Sequence, residues 1–207
     1  MKKIANKFIS FVFILLATQA YAATDPSDDL SRLLGDFQTL SANFNQVIYD
    51  GNKRPMQKTS GSMALSRPDK FRWEVKQLNE QLLVADGRYL WIYDIDLSQA
   101  TRQIMDKNKS SSPASLLGGS VENLKSRFNV THLSDANPSF RLVPKNKGDL
   151  FKWIELTFTN GKLARMKLSD NLGSLSVFQF SEVNLNPNLS ASLFQFKAPK
   201  GVDVVQN

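Results

Sequence analysis

The chain has 207 residues, 42% hydrophobic and 22% charged, with a formal charge of +7 and no cysteine. Without cysteine, disulfides, thiol catalysis, thiolate metal sites and a lipid-modified cysteine are all excluded. The basic excess is spread without any block of like charge, so it argues against nucleic acid as a partner.

Lys2, Lys3 and Lys7 precede an apolar stretch from Phe8 to Ala17 that is broken only by Ser10, and Ala20-Tyr21-Ala22 supplies a small-x-small cleavage site. This is the pattern of a secretory signal peptide over residues 1–22. The apolar run is about ten residues, against roughly twenty needed to span a bilayer, which disfavours a membrane anchor. Cleavage after Ala22 leaves 185 residues, one domain over 23–207 with room for a real core, and loss of the three lysines lowers the charge to +4. The expected product is a free, soluble, exported protein, suited to a bacterial periplasm.

Asp25-Pro26 is a helix start, an N-cap followed by proline in the first turn. Leu30, Leu33, Leu34 and Phe37 follow at helical spacing and make one apolar stripe. From Ser41 the period changes to two: Ala42, Phe44, Gln46 and Ile48 share one face, and Asn43, Asn45, Val47 and Tyr49 the other. Asp50-Gly51 marks a turn and Gln57–Leu65 the returning strand. Phe71, Trp73 and Val75 then lie opposite Arg72, Glu74 and Lys76. Gln81–Ala85 and Tyr89–Tyr93 form a hairpin about Asp86-Gly87, and Ala100–Met105 adds a strand.

The middle interrupts this pattern. Ser112 as cap, Pro113 in the first turn and Gly118-Gly119 at the exit describe a short helix through Leu117, with a second over Val121–Lys125. Strands resume over Asn129–Leu133, Phe140–Pro144, Phe151–Thr159, Lys162–Ser169 (after an Asn160-Gly161 turn) and Gly173–Leu185. A helical turn at Ser190–Leu193 and a terminal segment, Gly201–Val205, end the chain. The fold class is mainly β with α: about ten or eleven antiparallel strands, too many to stay flat, curling toward an unclosed barrel. The short helices are placed to cover its concave side.

No catalytic constellation is visible. His132 is the only histidine, it stands in a strand-like run, and no HExxH, GxSxG, P-loop or GxGxxG pattern occurs. Asp86, Asp94 and Asp96 sit at turns, where aspartate has local backbone reasons to be. The expectation is a binding protein rather than an enzyme, without cofactor or metal.

The stretch Gly61-Ser62-Met63-Ala64-Leu65-Ser66-Arg67-Pro68-Asp69-Lys70-Phe71-Arg72-Trp73 resembles the glycine, Arg-Pro and Phe-x-Trp segment of the LolA family of outer-membrane lipoprotein carriers. The likeness continues through Val84-Ala85-Asp86-Gly87, Leu90-Trp91-Ile92-Tyr93, Pro113-Ala114-Ser115-Leu116-Leu117, Phe194-Gln195-Phe196 and Pro199-Lys200-Gly201-Val202. It departs at Ile95, where the family often carries proline. The resemblance implies an incomplete β-barrel with an α-helical lid over an apolar cavity. It also implies a carrier function, in which a monomer takes acylated lipoproteins from an inner-membrane ABC exporter of the LolCDE type to an outer-membrane receptor of the LolB type.

By periodicity alone, Phe71 and Trp73 are more readily ordinary core than cavity wall; the resemblance reverses this and implies that they line the cavity. Trp91 and Tyr93 are candidates for a second wall, the inward face of their strand being open. Leu116 and Leu117 are candidates for the lid, and Leu30, Leu33 and Leu34 for the same apolar space. The resemblance makes Arg67 the latch that holds lid backbone carbonyls, a role suited to a guanidinium with five donors and a permanent charge. The alternative function is a periplasmic sensor or scaffold that uses the same half-barrel to bind lipid or protein.

Overall fold

The computed structural model describes residues 24–105, 117–119 and 124–206. The expected signal peptide therefore lies outside the described residues, as does the mid-chain helix up to Leu116. Asp25 caps the first helix, α1 (Pro26–Gly35), by accepting a hydrogen bond from the Ser27 N–H at 2.8 Å. Such a cap is worth about 1 kcal/mol. Leu30 and Leu34 are buried and Leu33 packs beside them, so the stripe faces inward. Lys125, on the four-residue helix α2 (Leu124–Arg127), ties down the start of α1 through Asp28 at 2.7 Å and Asp25 at 3.3 Å.

The strands run β1 (Thr39–Tyr49), β2 (Pro55–Ser66), β3 (Lys70–Val75), β4 (Gln81–Asp86), β5 (Tyr89–Asp94) and β6 (Gln99–Ile104). After α2 come β7 (Phe128–Ser134), β8 (Ser139–Pro144), β9 (Phe151–Thr159), β10 (Lys162–Asp170), β11 (Leu175–Leu185) and β12 (Asp203–Gln206). They form one 12-stranded sheet in the order β12-β6-β5-β4-β3-β2-β1-β11-β10-β9-β8-β7. Every pairing is antiparallel except that of β12 with β6. This extends the ten or eleven strands expected, because Asp203–Gln206 adds to the sheet as an edge. The second short helix is described over Leu124–Arg127, which overlaps the expected Val121–Lys125 and runs two residues past it.

The sheet is unclosed, since β12 and β7 are its two free ends, and it must curl. On a flat sheet β3 and β7 would stand seven strand spacings apart, about 34 Å. Yet the Gly118 carbonyl accepts a hydrogen bond from the Asp69 N–H, one residue before β3, at 3.0 Å. Leu124 opens the helix that runs directly into β7, and the six residues from Gly118 to Leu124 reach at most ~21 Å. The inner face carries one apolar cluster from Leu90 of β5, through Trp73, Phe44 and Phe178, to Phe140 of β8, with α1 against it.

Beyond β11 the chain crosses to the outer face. Asn186 anchors the departure: its N–H donates to the Thr39 carbonyl at 2.8 Å and its side-chain oxygen accepts from the Gln38 N–H at 2.8 Å. A 3-10 turn, Ala191–Phe194 capped by Ser190, then packs on β3 and β4 before the chain joins β6 as β12.

Candidate functional site

Strand β3 supplies the centre of the inner face. Phe71 pairs with Leu65 on β2 and Ala85 on β4, and Trp73 pairs with Met63 and Leu83. The Trp73 indole stacks on Phe44 at 4.2 Å between centroids and meets Phe178 edge-on at 5.4 Å. That stack depends on Gly61, which lies between Phe44 and Val75 in register. A Cβ there would stand 1.9 Å from the Glu74 carbonyl oxygen and 2.7 Å from Phe44 Cζ. From the opposite side, Leu30, Leu34, Phe37 and Leu117 complete the packing, each buried. Among the described residues, these side chains pack against one another on the inner face.

Arg67 stands just past the end of β2 and reaches the segment that carries Leu117. One terminal nitrogen donates to the Leu117 carbonyl at 2.7 Å and the other to the Gly119 carbonyl. With the Asp69 N–H on Gly118, three successive carbonyls are held from the β2–β3 turn. The guanidinium lies over the Phe37 ring at 5.0 Å, which connects it to the end of α1. Burial pulls the Arg67 pKa down to about 10, with the nearby Asp69 charge opposing, so the group is charged at neutral pH. Among the described residues its buried Nε has no hydrogen-bond partner.

Opposing contributions meet at Arg67. A hydrogen bond from a charged donor contributes about 1.5–3 kcal/mol, and a buried unmet donor costs about 1–3 kcal/mol. Because the acceptors are backbone carbonyls, the contact needs no particular side chain at 117 or 119.

The family model described as "Outer membrane lipoprotein carrier protein LolA" matches residues 35–197. The chain belongs to the LolA family. An outer-membrane lipoprotein carrier protein of Coxiella burnetii is 43% identical over 188 residues, covering 89% of each chain. One of Azotobacter vinelandii is 38% identical over 203 residues, covering 95% of this chain and 98% of that one, and one of Legionella pneumophila is 38% identical over 202 residues, covering 97% and 99%. Among solved structures, an uncharacterized conserved protein from Thermus thermophilus is similar in fold, with a TM-score of 0.56 at 14% identity over 89% of this chain and all of that one.

Within this LolA-family chain the expected site residues divide by face. Phe71, Trp73, Leu30, Leu34 and Leu117 come together in one cluster, with Leu33 partly buried against it. Leu116 lies outside the described residues. Trp91 and Tyr93 do not join the cluster, which corrects the option of a second inner wall. They pair with Val84 and Leu82 on the outer face and are covered by Phe196, at 5.1 Å and 5.5 Å between ring centroids. The inward residues of β5 are Leu90 and Ile92.

Three contributors are not singled out by the sequence. Phe44 is visible in the alternating run from Ala42 to Ile48. Phe178 lies in a strand whose inward face nothing local declares. Phe37 belongs to the helical stripe, but its contact with Arg67 is tertiary. No described helix is long and apolar enough to cross a membrane, and among the described residues no cluster of His, Asp or Glu could hold a metal.

Proposed function

We propose that this chain is a periplasmic carrier. It takes acylated lipoproteins released by an inner-membrane ABC exporter of the LolCDE type and delivers them to an outer-membrane receptor of the LolB type. In this reading Phe71, Trp73 and the stripe of Leu30, Leu33 and Leu34 form the surface that receives acyl chains, Leu117 belongs to the lid, and Arg67 is the latch. Trp91 and Tyr93 have no part in it.

What carries the reading is the Arg67 contact: an apolar inner face and a segment over it held by hydrogen bonds whose worth a buried unmet Nε donor reduces. Exposing an acyl chain of roughly fifteen carbons costs on the order of 12 kcal/mol, at ~0.8 kcal/mol per methylene. Acyl chains that displace the protein's own apolar side chains gain enough to break the latch, whose re-closure assists release. A carrier works only if the receptor binds the cargo slightly better than it does.

The test is incubation of the processed protein with inner-membrane vesicles and ATP. Release of a soluble one-to-one complex with a triacylated lipoprotein is expected. Recovery of free protein alone overturns the carrier reading and favours a sensor or scaffold.

A further inference from the structure

The two ends of the sheet are built differently. At one end, turns join β2 to β3, β4 to β5, β7 to β8 and β9 to β10, with Arg67-Pro68-Asp69, Gly87-Arg88, Asp135 to Pro138 and Asn160-Gly161 as turn residues. None of these is a large aliphatic. At the other end five hairpins are consecutive along the sheet: β5–β6, β3–β4, β1–β2, β10–β11 and β8–β9. Each carries one solvent-facing leucine or methionine at or beside its tip: Leu97, Leu78, Met56, Leu172 and Leu150, from 64% exposed at Leu150 to 93% at Leu172. Neighbouring tips stand two strand spacings apart, about 10 Å, so these side chains form one discontinuous rim.

Turn chemistry does not explain them. Leu78 adopts φ 55, in the left-handed region that glycine or asparagine occupies at least cost. It is a leucine at a position that favours neither its backbone nor its exposure. Leu97 and Leu172 are held out by their own turns: Asp94 Oδ1 accepts from the Leu97 N–H, and Asp170 Oδ1 from the Leu172 N–H, each at 2.9 Å.

The same bonds turn the carboxylates at the tips toward the backbone without removing their charge. Asp50, like Asp94 and Asp170, folds its carboxylate back onto tip amides, donated by Asn52 and Arg54, and Asp149 is buried. Exposed at the tips are Lys53, Arg54, Lys76, Lys147 and Lys152, with Lys145 bonded to the Lys125 carbonyl, against the exposed acids Glu80 and Asp96. Spaced aliphatic side chains interleaved with outward cations complement an anionic lipid surface, where apolar groups enter the headgroup region and each cation meets negative potential. Between the β1–β2 and β3–β4 tips a depression of about 180 Å³, lined by Ile48, Thr59, Val75 and Leu78, leads from this rim toward the inner face.

We propose that this five-tip rim docks the protein transiently on the surface of an anionic lipid bilayer. The proposal is independent of the carrier reading, because the test uses empty protein and protein-free lipid. The cysteine-free chain permits single environment-sensitive labels: Leu172→Cys and Leu97→Cys on the rim, and Ala136→Cys at the opposite end. With vesicles of phosphatidylethanolamine and phosphatidylglycerol, the rim labels shift to the blue and the Ala136→Cys label does not. Binding weakens as salt rises, and Leu78→Ser with Leu97→Ser and Leu172→Ser lowers vesicle partitioning by about ten-fold or more. A control pair at exposed sites away from the tips, Ile104→Ser with Leu133→Ser, leaves it unchanged. Binding that survives the triple variant overturns the proposal. So does binding to native membranes but not to protein-free vesicles, which would make the rim a protein-docking surface.

Discussion

Strand β3 presents Phe71 and Trp73 at alternate positions, strand β5 presents Trp91 and Tyr93 in line with Tyr89, and the Phe71–Trp73 and Trp91–Tyr93 pairs end on opposite sides of the sheet. Phe71 and Trp73 face the interior, against Phe44 and Phe178. Trp91 and Tyr93 face outward and are roofed by Phe196. Composition does not distinguish the pairs; the turns between them do. The five-residue connection from Val75 to Gln81 keeps odd-numbered residues inward, whereas the two-residue connection Gly87-Arg88 transfers the inward face to even numbers. A tryptophan's role in this sheet is set by the count of residues in a turn. The inner pair belongs to the apolar inner face, and the outer pair belongs to the anchorage of the C-terminal segment.

The largest expected effect breaks the inner side at Gly61. A Cβ at this position overlaps the Glu74 carbonyl, which cannot move without opening the β2–β3 pairing, and presses the Phe44 ring off Trp73. Gly61→Ala is expected to cost at least about 3 kcal/mol, in the range of a severe core overpacking. Urea denaturation checks this, and a loss below about 1 kcal/mol would show that the strand pair tolerates separation.

The two tryptophans compare the sides directly. Trp73→Ala removes a buried indole from the centre of the cluster and is expected to cost about 3–5 kcal/mol. Trp91 is half-buried between Phe196 and the Arg102 guanidinium, at 5.6 Å from the latter, and Trp91→Ala is expected to cost about 1–2 kcal/mol. Only the Trp91 change should raise proteolytic cleavage between Asn186 and Gly201, since it unroofs that segment alone. Equal destabilisation by the two changes would mean that the outer face is a second core of equal weight.

Much of the sheet was legible because its strands alternate cleanly and its tight turns are Asp-Gly or Asn-Gly. The start of α1 was legible for the same local reason, Asp25 and Pro26 being a complete cap. The inward face of β5 could have been read by taking Gly87-Arg88 as a two-residue loop, since Asp86 accepts from the Arg88 and Tyr89 N–H groups to close it. Strand β12 was not legible as a sheet element: it is four exposed residues pairing in parallel with β6, far away in the sequence. The partners of Arg67 were beyond any local pattern. They are backbone carbonyls some 50 residues away, and only the family resemblance suggested them.

Arg67→Leu tests whether the inner surface is gated. The substitution loses two hydrogen bonds to carbonyls but also removes a buried charge and an unmet Nε donor, so stability should change by no more than about 1 kcal/mol. Function should change far more. The variant is expected to take up lipoprotein and fail to pass it to receptor-bearing membranes, because the closed state no longer competes with bound acyl chains. Normal transfer by Arg67→Leu would sink the latch. A loss of stability above about 3 kcal/mol would make Arg67 a structural clamp instead.

The smallest expected effect concerns how the outer face holds itself away from the C-terminal segment. There Glu155 joins Arg141 at 2.5 Å and Lys167 at 3.2 Å across β8, β9 and β10, and Arg141 stacks over Trp153 at 5.0 Å. Burial pushes the Glu155 carboxyl up, but the hydrogen bonds from Arg141 and Lys167 outweigh it and leave the pKa below its ordinary 4.5. A carboxylate with a lowered folded-state pKa contributes stability that is present above the ordinary value and lost as pH falls through the lowered one. Glu155→Gln should therefore lower stability by about 1 kcal/mol at neutral pH, a modest amount because both cations are partly in solvent. The difference from the unaltered protein should close as pH falls below 4.5. Thermal melts at pH 7 and in acid check the sign. A deficit that stays constant across that range would assign Glu155 a packing role and leave the outer face of this half of the sheet without an electrostatic hold.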